Sequence, residues 1–597
     1  MTPDSRLRRC RTVSAKTLCI GLAAGLLMCL PAGRSLQAEE PLHVTIDRLI
    51  ALQTADYDKI AAPVCSDEEF VRRIWLDLTG SVPPVAEARK FLADTAADKR
   101  EKLVDQLLAS PEYARHMARN FDLLLMRRLP QKHIPVAEWE KFLLDAFADN
   151  RPWDRIVREI LTADGSDPAT RGAARFYLDR DGAVDDITRD VGRIFLGADL
   201  QCAQCHNHPQ IGDYKQPYYY GISAFFVRSF VMTDKEKRVV FAEKADGEAK
   251  FESAFEIRDK VSKGPRTTAP KLFDGLPISE PKFEKIEDAY AVKPDDKDKT
   301  VRPLPRFSRR AKFAEFIASA ENRRFCRTTA NRLWSMMLGR GIVHPVEFDH
   351  SDNPPSHPLL LAMLTEELAK NRLDVKAFIR EIALSKTYQR SSRREGSDQG
   401  PAPDDAKFAV ALLKPLSPAQ LAWSMLQASG EIDAHRPGIN PDALELDAEL
   451  KAKVKAGQVE PDKQPLVNKA IEAEMYKKLV SYEQRFVQLF GGVPGSPPES
   501  FESTTDQVLF LANDPAIVGL VRPKTGNLAE RLLKLPEDNP QQIAEELFLS
   551  ALTRRPTAED VQDVANYLAG QTGPARAAAV ADLIWAALSA SEFRFNH

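Results

Sequence analysis

The chain has 597 residues, too many for a single hydrophobic core, so length alone predicts two to four domains. Charged residues at 28% and hydrophobic residues at 43% exclude a disordered chain. A formal net charge of −3 argues against nucleic acid as a partner, since a phosphate-tracking surface needs a basic excess.

The first segment reads as a leader. Arg6, Arg8, Arg9 and Arg11 form a basic start, Leu18 to Leu30 an apolar stretch, and Ser35-Leu36-Gln37-Ala38 a small-residue exit. This is the layout of a secretory signal peptide, with an uncleaved N-terminal anchor as the alternative. No later stretch has the apolar length of a transmembrane helix. The expected location is outside the cytoplasm, in the periplasm or cell envelope. Past the leader only Cys65, Cys202, Cys205 and Cys326 remain, too few for a disulfide scaffold. Whether Cys65 and Cys326 pair is left open.

From Leu42 onward the hydrophobic period is helical. Ser66-Asp67-Glu68-Glu69 reads as a capping box opening a helix that Gly80 to Pro84 breaks. Further helices are predicted over Lys99–Leu108, from Ser110-Pro111 onward, over Trp139–Phe147 and over Trp153–Leu161. Val184, Ile187, Val191, Ile194, Phe195 and Ala198 fall on one helical face leading toward Cys202. Arg238 to Phe251 alternates weakly around Asp246-Gly247 and predicts a hairpin. Lys260 to Pro305, rich in Lys, Asp and Pro, reads as loops, and helices resume at Ala311. Ser391 to Asp405 reads as a second linker, and Asp442 to Lys478 as a charged, solvated stretch. The expected fold is mainly α and multi-helical: two helical domains with a small β-containing, loop-rich insert between them. The expected boundaries are 1–38 for the leader, 42–230 for the N-terminal helical domain, 231–305 for the insert and linker, and 306–597 for the C-terminal helical domain.

The sharpest chemical feature is Cys202-Ala203-Gln204-Cys205-His206. Cys-x-x-Cys-His is the pattern of covalent c-type haem attachment, in which two thiols add to the haem vinyl groups and the imidazole ligates iron. Tyr214, Tyr218, Tyr219, Tyr220, Phe225 and Phe226 follow, and can serve either as an apolar wall for a macrocycle or as plain core. Met232, His344, His350 and His357 are the available second iron ligands, with none preferred. The competing readings are a zinc site made by Cys202, Cys205, His206 and His208, and a short-range disulfide between the two cysteines. A second dense stretch holds Asp349, His350, Asp352 and His357, which can gather as acid/base groups or hard-metal ligands. Turn chemistry explains the same residues: Asn353-Pro354-Pro355 is a turn, and Ser356 a cap for the helix over Leu359–Leu368.

Ile74-Trp75-Leu76-Asp77-Leu78-Thr79-Gly80 with Pro83-Pro84, and Leu103 to Pro111, resemble the opening of the planctomycete cytochrome-C-like domain of unknown function 1549. Cys202 to Pro209 matches that domain's cysteine motif. Asn331 to Trp334, Gly339 to Val343, Asn353 to Pro358 and Ser385 to Ser392 resemble its usual companion, domain of unknown function 1553. The resemblance spans nearly the whole chain past the leader. It implies an exported bacterial protein and, through the family's name, haem; it implies no enzymatic activity. The leading expectation is an exported c-type haem protein in electron transfer or redox chemistry of the envelope, held through Cys202, Cys205 and His206 and served by a redox partner protein. The alternatives are a non-catalytic envelope binding or scaffold protein with structural zinc, and a polysaccharide-related hydrolase using Asp349, His350 or His357.

Overall fold

The computed structural model describes residues 40–252, 265–394, 401–494 and 504–597; the leader therefore lies outside the described residues. The described chain is mainly α, with 25 α-helices and four small two-stranded antiparallel sheets. None of its helices is long and apolar enough to cross a membrane.

The helices form where apolar spacing and caps agree. Ser66 caps the helix Asp67–Thr79 by accepting the Glu69 amide, and Gly80 ends it in the left-handed region at φ 78°. The expected reciprocal box does not close. Glu69 instead spends its carboxylate on Arg73 one turn on, on the Ser391 hydroxyl and on the Ser392 amide, because a charged neighbour and two distant donors together outcompete one local backbone amide. Ser110 caps Pro111–Met126 as the sequence predicts, and Lys99–Leu108, Val136–Ala148, Trp153–Thr162 and Val184–Leu196 follow in their expected places.

Two hydrophobic cores result. The first runs from Ile46 to Ala409 and takes in Trp139, Trp153, Phe176, Phe225, Phe226, Phe313 and Trp334. The second runs from Leu416 to Phe593 and also claims Leu76 and Val82. Helix Asp67–Thr79 is shared: Phe70, Val71, Ile74 and Leu78 face the first core while Leu76 faces the second. Beside this junction the strand Lys414–Pro415 pairs with Phe595–Asn596, tying the last residues back to the shared helix.

Between the helical parts the chain is loop-rich with short strands, but the hairpin is not the expected one. Ser229–Thr233 pairs with Val239–Glu243, turning at Asp234 to Lys237, and Ala249–Phe251 pairs with Arg266–Thr268. Asp234 makes that turn by accepting the Arg238 amide on its side chain. Gly247 serves elsewhere: its carbonyl accepts Arg228 Nε and Arg309 Nη1, both at 3.1 Å. The charged stretch from Asp442 includes the helix Ala448–Ala456 and the start of the 27-residue helix Gln464–Phe490, which is largely exposed there but buries Val467, Met475, Leu479 and Phe486.

Candidate functional site

Helix Val184–Leu196 ends at Gly197, whose φ of 60° suits glycine; a Cβ there would sit 2.9 Å from Thr328 Oγ1. The chain then runs beside a segment far away in sequence. Ala198 bridges Phe348, the Asp199 amide donates to the Glu347 carbonyl, and the Asp349 amide donates to the Gly197 carbonyl. This rung delivers the chain to a 3₁₀ turn, Cys202–Gln204.

Ala203 is fully buried under that turn, while Cys202 and Cys205 are exposed and both carry free thiols. The turn is braced from behind. The Cys205 and His206 amides both reach the Cys202 carbonyl at 3.3 Å. Tyr220 donates its hydroxyl to the Gln204 carbonyl at 3.0 Å, and Arg189 donates to the Gln204 side chain at 3.2 Å. His206 Nδ1 lies 2.7 Å from the Asn207 carbonyl, a contact it can make only as donor, so in the neutral ring the lone pair sits on Nε2.

His208 does different work. Its Nδ1 accepts the Gln210 and Ile211 amides at 3.2 and 2.9 Å, and its own amide donates to the Tyr214 carbonyl. Burial, with His350 and His206 nearby, lowers its pKa. The ring thus folds the loop after the motif, with its proton on Nε2, and no lone pair is left for a metal. Among the described residues no group of three or more His, Cys, Asp or Glu side chains is placed to hold a metal ion. Cys65 and Cys326 are free and buried, so they do not pair.

The aromatic run is mostly core. Phe225 and Phe226 are fully buried against Phe313, with ring centroids at 5.1 and 4.8 Å, and Tyr219 donates to Asp185 at 2.7 Å. Tyr218 and Tyr220 stay half-buried, and Tyr220 stacks face to face on Phe251 at 4.4 Å. The donor set fits a c-type haem: two accessible reduced thiols one turn apart and an imidazole with an anchored Nδ1. The aromatic surface beside it is Tyr220 with Phe251, not the whole run.

The second stretch divides. Asp349 forms a two-point ion pair with Arg327, at 2.8 and 3.2 Å. His350 Nδ1 accepts the Asp352 amide at 3.2 Å, and its ring meets Tyr214, which also meets His208. Asp352 is exposed. His357 is buried against Phe408, its Nε2 without a partner, and burial pushes its pKa down to about 4. His357, not Ser356, stands at the N-terminal cap position of the helix Pro358–Lys370 and its side chain makes no capping bond, while the Ser356 hydroxyl donates to the Ile342 carbonyl. The structure thus brings Asp349 and His350 together on a cleft of about 520 Å³ and keeps His357 apart in the core. Arg324, Arg327 and Asp213 complete that cleft and escaped the sequence reading. The only linear signal was the spacing of Arg323, Arg324 and Arg327 on one helix start.

A family model described as PSCyt2, a protein of unknown function (DUF1549), matches residues 45–230. A second, described as PSD1, a protein of unknown function (DUF1553), matches residues 309–568. No curated protein and no solved structure matches the chain.

Proposed function

The chain belongs to the family that joins a DUF1549 domain to a DUF1553 domain, in that order, and with that established we propose that it is an exported c-type haem protein in redox chemistry of the cell envelope. One observation carries the reading: Cys202 and Cys205 present free, exposed thiols from a single turn whose middle residue is buried, directly before His206. The two thiols would hold the porphyrin edge and His206 Nε2 the iron. The Asn207 carbonyl on Nδ1 fixes the ring tautomer and raises its basicity, as the outer partner of a ligating histidine does. The bound group would supply one-electron chemistry. A haem attached at these exposed positions would lie open to electron exchange with a docked redox partner protein.

A zinc site would need ligands to converge, and His208 is committed to backbone amides. A haem asks less of the protein: two thiols and one axial nitrogen.

The test is expression of the protein in a host able to attach c-type haem. The expected result is a c-type pyridine haemochrome spectrum, lost in Cys202→Ala and Cys205→Ala. His206→Ala should keep the covalent adduct by mass while altering the visible spectrum. A mature protein without a haem adduct by mass spectrometry overturns the proposal, and zinc found in its place would make the turn a structural metal site.

A further inference from the structure

The cleft beside the cysteine loop has a donor and acceptor balance that the haem proposal does not use. Its lining carries three arginines against two aspartates. Both aspartates are consumed internally. Asp349 is held at two points by Arg327. Asp213 accepts the Ser351 amide at 2.7 Å and the Ser351 hydroxyl at 2.9 Å, and these bonds lower its pKa. Arg323 is paired with Glu366 on the helix surface.

Arg324 differs from its neighbours. Its Nε and Nη2 donate to the carbonyls of Leu196 and Asp349 at 2.7 and 2.8 Å, and its guanidinium lies 4.4 Å from the Phe273 ring centroid. Three contacts fix the group, yet none of them neutralises its charge, and no carboxylate pairs with it among the described residues. His350 adds a second donor, because its Nδ1 accepts the Asp352 amide and the neutral ring keeps its proton on Nε2. The wall thus offers donors and a net positive charge, with both of its carboxylates already engaged. The bonds to Leu196 and Asp349 leave Nη1 and the second Nη2 hydrogen of a pre-ordered guanidinium, an edge that matches a planar carboxylate. The volume, about 520 Å³, is in the range of small-molecule sites and exceeds what a lone inorganic anion fills. Pro354, Pro355 and Ala362 supply an apolar side for the rest of such a molecule.

We infer that this cleft binds a small organic carboxylate, its carboxyl group on Arg324 and its body against Pro354 and Pro355. The inference stands independently of haem attachment, because no residue of the cysteine turn enters it.

Calorimetry on the full mature chain tests it with two carboxylates, glucuronate and benzoate, against their uncharged counterparts, glucose and benzamide. At least one carboxylate should bind saturably, at least tenfold tighter than its counterpart, and the preferred one shows whether the body is hydroxylated or aromatic. Arg324→Gln should weaken that binding at least tenfold, and Arg324→Lys should lie between. Arg324 also holds two backbone carbonyls, so Ala362→Glu provides a second variant: an exposed helix position on the cleft that gains a repelling carboxylate without losing a contact. It too should cost at least tenfold. Failure of both carboxylates to bind below about 10 mM, equal binding of the uncharged counterparts, or unchanged affinity in Ala362→Glu overturns the inference.

Discussion

Replacing Lys414 with methionine should loosen the junction between the two cores. Asp77 sits on the helix that both cores share, and its carboxylate receives Lys414 Nζ at 2.5 Å, Asn596 Nδ2 at 2.7 Å and the Tyr388 hydroxyl at 2.8 Å. Lys414 also donates to the Met337 carbonyl at 2.7 Å. Burial raises the Asp77 pKa and lowers that of Lys414, so each charge resists its surroundings and depends on the other. Lys414→Met removes the ion-pair partner of this carboxylate, with Arg73 left as a more distant cation, and leaves a buried anion, a change that costs about 3–5 kcal/mol. Asp77→Asn with Lys414→Met removes both charges and should cost clearly less than the two single changes summed. Because two cores need not unfold together, the assay is hydrogen exchange on the peptide covering Asp67–Thr79. Opening there should quicken by about two to four orders of magnitude in Lys414→Met at pH 7. In this variant Asp77 is driven further up, so protection should recover as pH falls and the carboxyl takes its proton. An effect below about tenfold, or full additivity in the double variant, would refute the view of Asp77 as a charge held by Lys414.

Acid should weaken the fold through buried histidines. Burial takes His357 to about 4 and His116 to about 3; a depressed histidine stabilises above its unfolded value of about 6.5 and loses that contribution as pH falls toward the folded value. His357 alone is worth about 3 kcal/mol across that window, so His357→Leu should flatten the melting temperature between pH 6.5 and 4. Glu280 holds Arg309 and Arg228 together in the insert. Glu280→Gln should therefore speed proteolysis within 265–305 by about tenfold while the helical parts stay intact; unchanged cleavage would show the insert is held elsewhere. A chain ending at residue 305 would lose Phe313, Phe325, Leu333, Trp334 and Ile379 from the first core. It should bind hydrophobic dye and lack a cooperative melt; a sharp transition would show that the N-terminal part folds alone.

Where the sequence reading succeeded, the signal was local. Ser66 and Ser110-Pro111 cap their helices because a hydroxyl and its amide lie three residues apart, within reach of any chain that starts a helix there. It failed where a long-range partner took over a local role. Glu69 had a nearby amide to cap but found Arg73, Ser391 and Ser392. Asp246-Gly247 looks like a hairpin turn, yet Gly247 is placed by arginines 19 and 62 residues away. The solvated character expected from Asp442 to Lys478 agrees with the structure, where the helix Gln464–Phe490 buries only one narrow stripe.

The site shows the same division, and it lies where the two matched regions meet within one compact unit. Cys202 to His206 stood out because the pattern is written in five adjacent residues. Its support did not. The rung of Gly197 to Asp199 against Glu347 to Asp349, the Ser351 bonds to Asp213 and the Tyr214 ring between His208 and His350 all join the first domain's loop to the second domain's. A short turn with two exposed thiols buries little of its own apolar surface, and Ala203 alone cannot hold it in place. Tyr220 and Arg189 brace the turn itself, and the chain entering it at Gly197 to Asp199 is fixed by hydrogen bonds with a segment about 150 residues away in the sequence, a distance at which periodicity and spacing carry no signal. The same arrangement makes the carboxylate cleft: Arg324 is immobilised by carbonyls from both sides of that rung, Leu196 and Asp349. Arg324 thus depends on the same rung that leads the chain into the cysteine turn, although no residue of that turn lines the cleft.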